Sequence, residues 1–266
     1  MDSWPHMSIA CQTAWIAAGA AALMVALWLW QMRHRDAGIV DVGWAFGIAS
    51  AAVFAGLTGS GSWEARTFAA VAGGLWGYRL AWYLLTDRVL GRPEDGRYQA
   101  MRAAMGGHAQ TGFLLFFLFQ AGLVVLFALP MVIVAADTRD AGWHHALAAA
   151  ILLAAVVGES VADRQLAHHR ADPAKAGTTC RSGLWAWCRH PNYACEWLHW
   201  WAWVAAGVGS AHGLWLLAYP LLMFLFLRYL TGIPYTERRA LAHRPDYADY
   251  QRTVSMLIPW PPARTP

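Results

Sequence analysis

The chain has 266 residues, of which 58% are hydrophobic and 14% charged, with a formal charge of +4 and a mean hydropathy of +0.32. Soluble domains average about 25% charged residues, so this balance excludes one ordinary soluble core and predicts an integral membrane protein. The 17 Trp suit bilayer interfaces, and the cations fall in loops between apolar runs, which favours membrane topology over a nucleic-acid surface.

In chain order, apolar runs of about the length that crosses a bilayer predict seven transmembrane helices and an all-α fold in a single domain, 1–266. The first run, 9–31, has no Lys or Arg before it and reads as a retained helix, not a leader. The second, 39–57, carries Asp41 and Trp44 in "IVDVGWAFG", three residues apart and therefore able to share a helix face. The third, 67–85, carries Tyr78 and Arg79. A tyrosine hydroxyl can donate a proton to a developing oxyanion; it is also a common packed aromatic. Asp41 and Arg79 can equally form a structural pair within the membrane.

The loop after the third run, "GRPEDGRYQAMR", holds Arg92. The fourth and fifth runs are 112–135 and 145–162. The loop that follows ends in "CRHPNYACEWLHWW", where Arg189, His190 and Asn192 lead into the short, Trp-rich sixth run, 193–208. Pro191 suits the first turn of a helix, and free backbone N–H groups there, beside Arg and His, favour an anion. Glu196 lies about a turn inside, and an ionisable residue in a membrane segment is a functional candidate by default, unless it only pairs with Arg or His. His199 on the same aromatic helix reads as packing. The seventh run, 214–230, contains Arg228, and the tail reads "GIPYTERRAL…RPDYADYQRTVSMLIPW".

Of the 20 Lys and Arg, only Arg66 and Arg139 fall on one side of this arrangement, with Arg79 in the third run; the rest, to Arg264, fall on the other. That asymmetry predicts a cytoplasmic C-terminus and an external N-terminus. Cys11, Cys180, Cys188 and Cys195 show no CxxC spacing and read as free thiols. No HExxH, GxGxxG or GxxxxGK pattern occurs, so no metal, Rossmann or P-loop site is predicted. The basic loops 87–110, 163–192 and the tail 228–260 offer forked arginine contacts to a phosphorylated cofactor; the same cations also serve as topology signals or lipid head-group contacts.

"SGLWAWCRHPNYACEWLHWWAW", "GRPEDGRYQAMR", "DVGWAFG" and the tail together resemble the steroid 5-alpha-reductase family, in its bacterial branch of 3-oxo-5-alpha-steroid 4-dehydrogenase-like membrane reductases, over roughly 41–260. The resemblance implies NADPH held by the cytoplasmic loops and C-terminal helices. It implies an enone substrate entering from the bilayer, best matched by a Δ4-3-ketosteroid reduced to its 5α-dihydro product. Residue by residue it implies cofactor contacts from Arg79, Arg92, Asp163, Arg189, His190, Asn192, Tyr193, Glu196, Arg228 and Tyr247. Asp41, Trp44 and Trp200 would meet the substrate, and Tyr78, Asp41 or Glu196 would supply the proton. The partners are then a lipophilic small molecule and membrane lipids, with no nucleic acid, and the location is the bacterial inner membrane with the active site open to the cytoplasm. The chain departs from the family in lacking a Gln-Glu pair in the second run, in "YLTGIPYTE" after Arg228, and in Cys195 before the helical Glu. An S-adenosylmethionine-dependent methyltransferase of the isoprenylcysteine type shares the RHPxY element, against which stands the single Glu237. A lipid-binding or structural membrane protein is the third expectation.

Overall fold

The computed structural model describes residues 6–230 and 232–263; Thr231 and Arg264 lie outside them. These residues form helices and connecting loops, with no strand among them. The helices are α1 (Ile9–His34), α2 (Ile39–Thr58), α3 (Trp63–Leu84), α4 (Gly96–Met105), α5 (Ala109–Ala135), α6 (Trp143–Ala171), α7 (Pro191–Gly207), α8 (Ala218–Leu225), α9 (Ile233–His243) and α10 (Tyr247–Thr253). The chain divides into two compact units. Unit 1 comprises the residues up to His145 together with Gly209–His212; unit 2 comprises Ala146–Val208 and the residues from Gly213 onward.

Among the described residues, five runs are long and apolar enough to cross a membrane: Ile9–His34, Ile39–Thr58, Gly96–Ala135, Trp143–Ala171 and Gly213–His243. This is fewer than the seven expected. The third and sixth expected runs are helical, but α3 carries Glu64, Arg66 and Arg79, and α7 has only 17 residues.

In unit 1, α2 and α3 pack through small residues. A Cβ on Gly73 would lie 2.5 Å from the Ala52 Cβ, and one on Gly77 would lie 2.8 Å from the Ala49 Cβ. Glycine at these positions lets the backbones approach to distances that any side chain would forbid, the usual device of helix pairs in bilayers. The C-terminal carbonyls of α2 are then closed by side chains. Arg66 Nε donates to the Gly56 carbonyl and its Nη2 to the Leu57 carbonyl, both at 2.9 Å, while Gln12 Nε2 donates to the Ala55 carbonyl at 3.1 Å. Arg66 is buried. It satisfies a helix end whose partial negative charge it complements, so this arginine serves the fold directly. Ser8, Ser62 and Asp95 accept backbone N–H bonds at the starts of α1, α3 and α4, as N-cap residues do.

In unit 2, the loop before α7 is held by the tail. Arg189 N–H donates to the Ser255 carbonyl at 2.9 Å, Trp260 N–H to the Trp187 carbonyl at 3.0 Å, and the Cys188 thiol to the Leu257 carbonyl at 3.0 Å. Farther up the loop, the Thr179 backbone N–H and hydroxyl both donate to Asp246, at 3.0 and 2.8 Å, and Arg181 pairs with Asp249 at 2.9 Å. The seventh expected run is not one α-helix. It opens as a 3-10 turn, Gly213–Leu217, continues as α8 and closes in a π-helical turn, Phe226–Leu230. All four cysteines are free thiols.

Candidate functional site

The candidate residues of unit 2 gather around the start of α7. Pro191 occupies its first turn, as its fixed φ and missing N–H favour. The two residues before it turn toward α9. Arg189 Nε donates to Glu237 Oε1 at 2.8 Å, and His190 Nε2 lies 3.0 Å from the same oxygen. A carboxylate only accepts, so this contact assigns the His190 proton to Nε2. Gln251 Nε2 donates to Glu237 Oε2 at 2.8 Å, and the Tyr247 hydroxyl points at Oε1 from 3.5 Å. Arg189 Nη1 donates further to the carbonyls of Gln251 at 3.0 Å and Val254 at 2.6 Å. Arg189 and His190 therefore join the loop, α9 and the tail, and their donors point inward. Burial first, and then the Glu237 carboxylate, hold the Tyr247 phenol well above its ordinary pKa, so it stays a neutral donor.

Asn192 and Glu196 lie along the opening turns of α7. Asn192 Oδ1 accepts the Tyr193 N–H at 3.0 Å, and its Nδ2 donates to Asp163 Oδ1 of α6 at 3.4 Å. The Tyr193 ring stacks on His190, with centroids 5.5 Å apart and planes 13° from parallel. One turn on, Glu196 Oε1 accepts from Trp200 Nε1 at 3.3 Å. Trp200 is fully buried and stacks on Tyr219. Arg228 is exposed in the π-helical turn, its guanidinium 5.0 Å from the Tyr229 ring centre. Asn192, Asp163, Tyr193 and Glu196 thus form a half-buried polar step above an apolar, Trp-rich helix.

The unit 1 candidates form two separate places. Asp41, in the first turn of α2, accepts from the Tyr98 hydroxyl at 2.8 Å and from Arg97 Nη2 at 3.2 Å. A carboxylate at a helix N-terminus complements its partial positive charge. Its partners are therefore Tyr98 and Arg97 of α4, not Arg79. Trp44 meets Trp76 and Phe127 edge-on, and its indole N–H is buried with no hydrogen-bond partner among the described residues. Tyr78 sits elsewhere, exposed, its hydroxyl 3.2 Å from Ser50 Oγ and its ring 5.5 Å from Phe46. Arg79 is exposed. Arg92 is exposed as well, in the turn before α4.

Sequence reasoning missed Glu237, Gln251, Arg97 and Tyr98 as parts of these clusters. Glu237 had one signal, as the single acid beside Arg238 and Arg239; the others had none, since Gln251 lies 14 positions from Glu237, and Arg97 and Tyr98 lie 56 and 57 positions from Asp41. Among the described residues, no group of three or more His, Cys, Asp or Glu is placed to hold a metal ion.

The family described as a protein of unknown function (DUF1295) matches residues 27–254. The chain belongs to that family. The match begins within α1 and ends just after α10, so it covers every candidate residue from Asp41 to Tyr247. No curated protein and no solved structure matches the chain.

Proposed function

We propose that the protein is an NADPH-dependent membrane reductase that saturates the C=C bond of an α,β-unsaturated ketone in a lipophilic substrate, with a Δ4-3-ketosteroid as the best candidate. The observation that carries this reading is the Asn192–Asp163 pair at the polar mouth of α7, with Glu196 one turn inside. An amide and two carboxylates at that boundary suit the carboxamide and ribose of a dinucleotide on one side and an apolar substrate on the other. The DUF1295 family is related to steroid 5-alpha-reductase-like membrane proteins, which supports the same reading.

The residues present fit the cofactor in part. In unit 2, Asn192, Asp163, Tyr193 and Glu196 would hold its neutral groups, and exposed Arg228 would meet phosphate. Arg189 and His190 would act indirectly, because Glu237 and two tail carbonyls take their donors. NADPH supplies the hydride that adds to the β-carbon. The chain's part is to hold the carbonyl oxygen with an acidic O–H, deliver a proton and exclude water, which strengthens that hydrogen bond. Of the three proton-donor candidates, Asp41 sits between Arg97 and Tyr98 as an ion-paired acceptor. Tyr78, whose hydroxyl lies beside that of Ser50, and Glu196, which accepts from Trp200, are the other two.

In this reading α3 and α7 also cross the membrane, giving seven spans with the N-terminus outside and the α7 mouth toward the cytoplasm of a bacterial inner membrane. Support comes from length: 22 residues of α3 rise about 33 Å, and the 17 of α7 lie at the lower limit for a span. A second reading is an S-adenosylmethionine-dependent methyltransferase. It is favoured by one observation, the joining of the RHPNY element to the tail acid Glu237 through Arg189 and His190.

The test is NADPH oxidation by detergent-purified protein with and without progesterone, following the steroid by mass spectrometry. A product heavier by two hydrogens, lost in Asn192→Ala, supports the reductase. Saturable NADPH binding without turnover rejects the steroid alone. Binding of S-adenosylmethionine and not NADPH overturns the reductase.

A further inference from the structure

The connection between α1 and α2, residues 35–38, joins Ile9–His34 to Ile39–Thr58, two segments long and apolar enough to cross a bilayer. So short a connection holds its residues at the level of the lipid head groups. The turn after α3 is clasped to it. The Ala37 backbone N–H donates to Glu94 Oε1 at 2.8 Å, and a Cβ on Gly38 would lie 3.9 Å from Val89 Cγ2. The end of α1, this connection and the π-helical turn Leu85–Val89 therefore make one surface of unit 1.

Charges on that surface are sorted by depth. The acids turn inward and are taken up. Glu94 pairs with Arg102 at 2.7 Å, and Asp41 and Asp95 pair with Arg97 at 3.2 and 3.1 Å. Buried Asp36 accepts the Gly38 N–H at 2.9 Å. Arg33, Arg35 and Arg88 are exposed, and none of their side chains makes a hydrogen bond or ion pair among the described residues. Asp95 feels the Arg88 charge, but Arg97 already holds that carboxylate. Asp87 is the one exposed acid in 33–38 and 85–93.

Arg35 adds an observation independent of charge. Its φ is 54°, and it is the one non-glycine residue with positive φ among the described residues. Glycine adopts that conformation without strain, whereas a residue with a Cβ seldom does. Strain retained at an exposed cation points to a task for the side chain. Arg33 and Arg35 also complement the negative end of α1, but Arg88 belongs to another segment and has no part in that.

We propose that Arg33, Arg35 and Arg88 bind the phosphate head group of an anionic phospholipid in the leaflet beside the α1–α2 connection. The guanidinium fork matches phosphate oxygens, and cations just beyond a span attract anionic lipid. The site is independent of the reaction proposed for the protein. Arg92, which the family resemblance gives to the cofactor, lies outside it.

The experiment titrates the full chain in neutral detergent with phosphatidylglycerol and with phosphatidylcholine of the same acyl chains. Native mass spectrometry reads the lipid retained, and thermal midpoints are recorded with and without lipid. Wild type is expected to retain phosphatidylglycerol in preference. Arg35→Gly is expected to cut that preference about fivefold, the discrimination of one cation beside an anionic surface. Its lipid-free midpoint should stay at or above wild type, because glycine relieves the left-handed strain. The triple variant Arg33→Gln, Arg35→Gly, Arg88→Gln is expected to retain the two lipids equally. Equal retention by wild type overturns the proposal, as does a preference unchanged in the triple variant. A lowered lipid-free midpoint in Arg35→Gly assigns that cation to the end of α1 and overturns it. A thermal shift from inorganic pyrophosphate equal to that from phosphatidylglycerol assigns the surface to a soluble phosphate and overturns it too.

Discussion

Arg189 and Glu237, 48 residues apart in sequence, meet at 2.8 Å with their side chains only 12% and 15% exposed. Glu237 is the common acceptor for Arg189, His190 and Gln251, so the polar start of α7 and the tail are held by one carboxylate. Removing one partner of a buried ion pair leaves the other charge unmet, which costs about 3–5 kcal/mol. Glu237→Ala should therefore lower the thermal midpoint of detergent-purified protein by several degrees. Glu237→Gln should fall between it and the wild type, because the amide oxygen still accepts while the amide nitrogen conflicts with Gln251. Midpoints equal to wild type in both variants would show that the cluster carries no stability.

The same clamp predicts the behaviour of Cys188. Its thiol is fully buried and donates to the Leu257 carbonyl. Burial raises its pKa to about 11, against the smaller opposing effects of the His190 N–H and the Arg189 charge. The thiolate is the reactive form, so at pH 8 a water-soluble alkylating reagent should leave Cys188 unmodified until the protein unfolds. Peptide mass spectrometry reads this directly. In Glu237→Ala, Cys188 should become reactive under native conditions, because the tail that covers it has lost its anchor.

Apolar run length was legible where a helix is continuous: the expected runs lie inside α1, α2, α5 and α6, the last of which continues through Asp163 and Arg164 to Ala171. The seventh run shows the limit. Its residues are uniformly apolar from Leu214 to Leu227, but the backbone passes through a 3-10 turn, an α-helix and a π-helical turn. Those shifts leave no mark in hydropathy. The candidate site divides in the same way. The start of α7 at Pro191 was readable because helix starts have a local signature. Tyr98 was not readable as the partner of Asp41, because a hydrogen bond across 57 positions has no period to detect.

Acid should loosen the loop before α7 by a route that can be assigned. Burial would raise the Asp246 carboxyl, but the Thr179 N–H and hydroxyl, and then the Arg181 charge, pull it below the usual range. A carboxyl with a depressed folded pKa stabilises the fold while ionised. That stability is present above the unfolded value, about 4, and is lost as pH falls through the lower folded value. The wild-type midpoint should therefore drop on acidification below about pH 4. Asp246→Asn should start lower at neutral pH and lose less over the same interval. Parallel pH curves for the two proteins would remove Asp246 from the account.

Asp41 and Tyr98 provide the test of whether the acid of α2 is structural or chemical. Tyr98 is 3% exposed, and its hydroxyl donates to Asp41 at 2.8 Å, while Arg97 approaches the other carboxylate oxygen. A hydrogen bond to a charged group contributes about 1.5–3 kcal/mol, so Tyr98→Phe should destabilise by that order, and Asp41→Asn by more, since Arg97 also loses one of its two carboxylate partners and keeps only Asp95. Tyr98→Phe leaves the Asp41 carboxylate in place. If Asp41 serves only to fix α4 against α2, turnover in the proposed reductase assay should fall in both variants only as far as folded protein is lost, and activity per folded molecule should stay near wild type. If Asp41 supplies the reaction's proton, Asp41→Asn should abolish turnover per folded molecule while Tyr98→Phe retains it. The ion-paired geometry predicts the first outcome. The measurement is activity normalised to the folded fraction by size-exclusion chromatography.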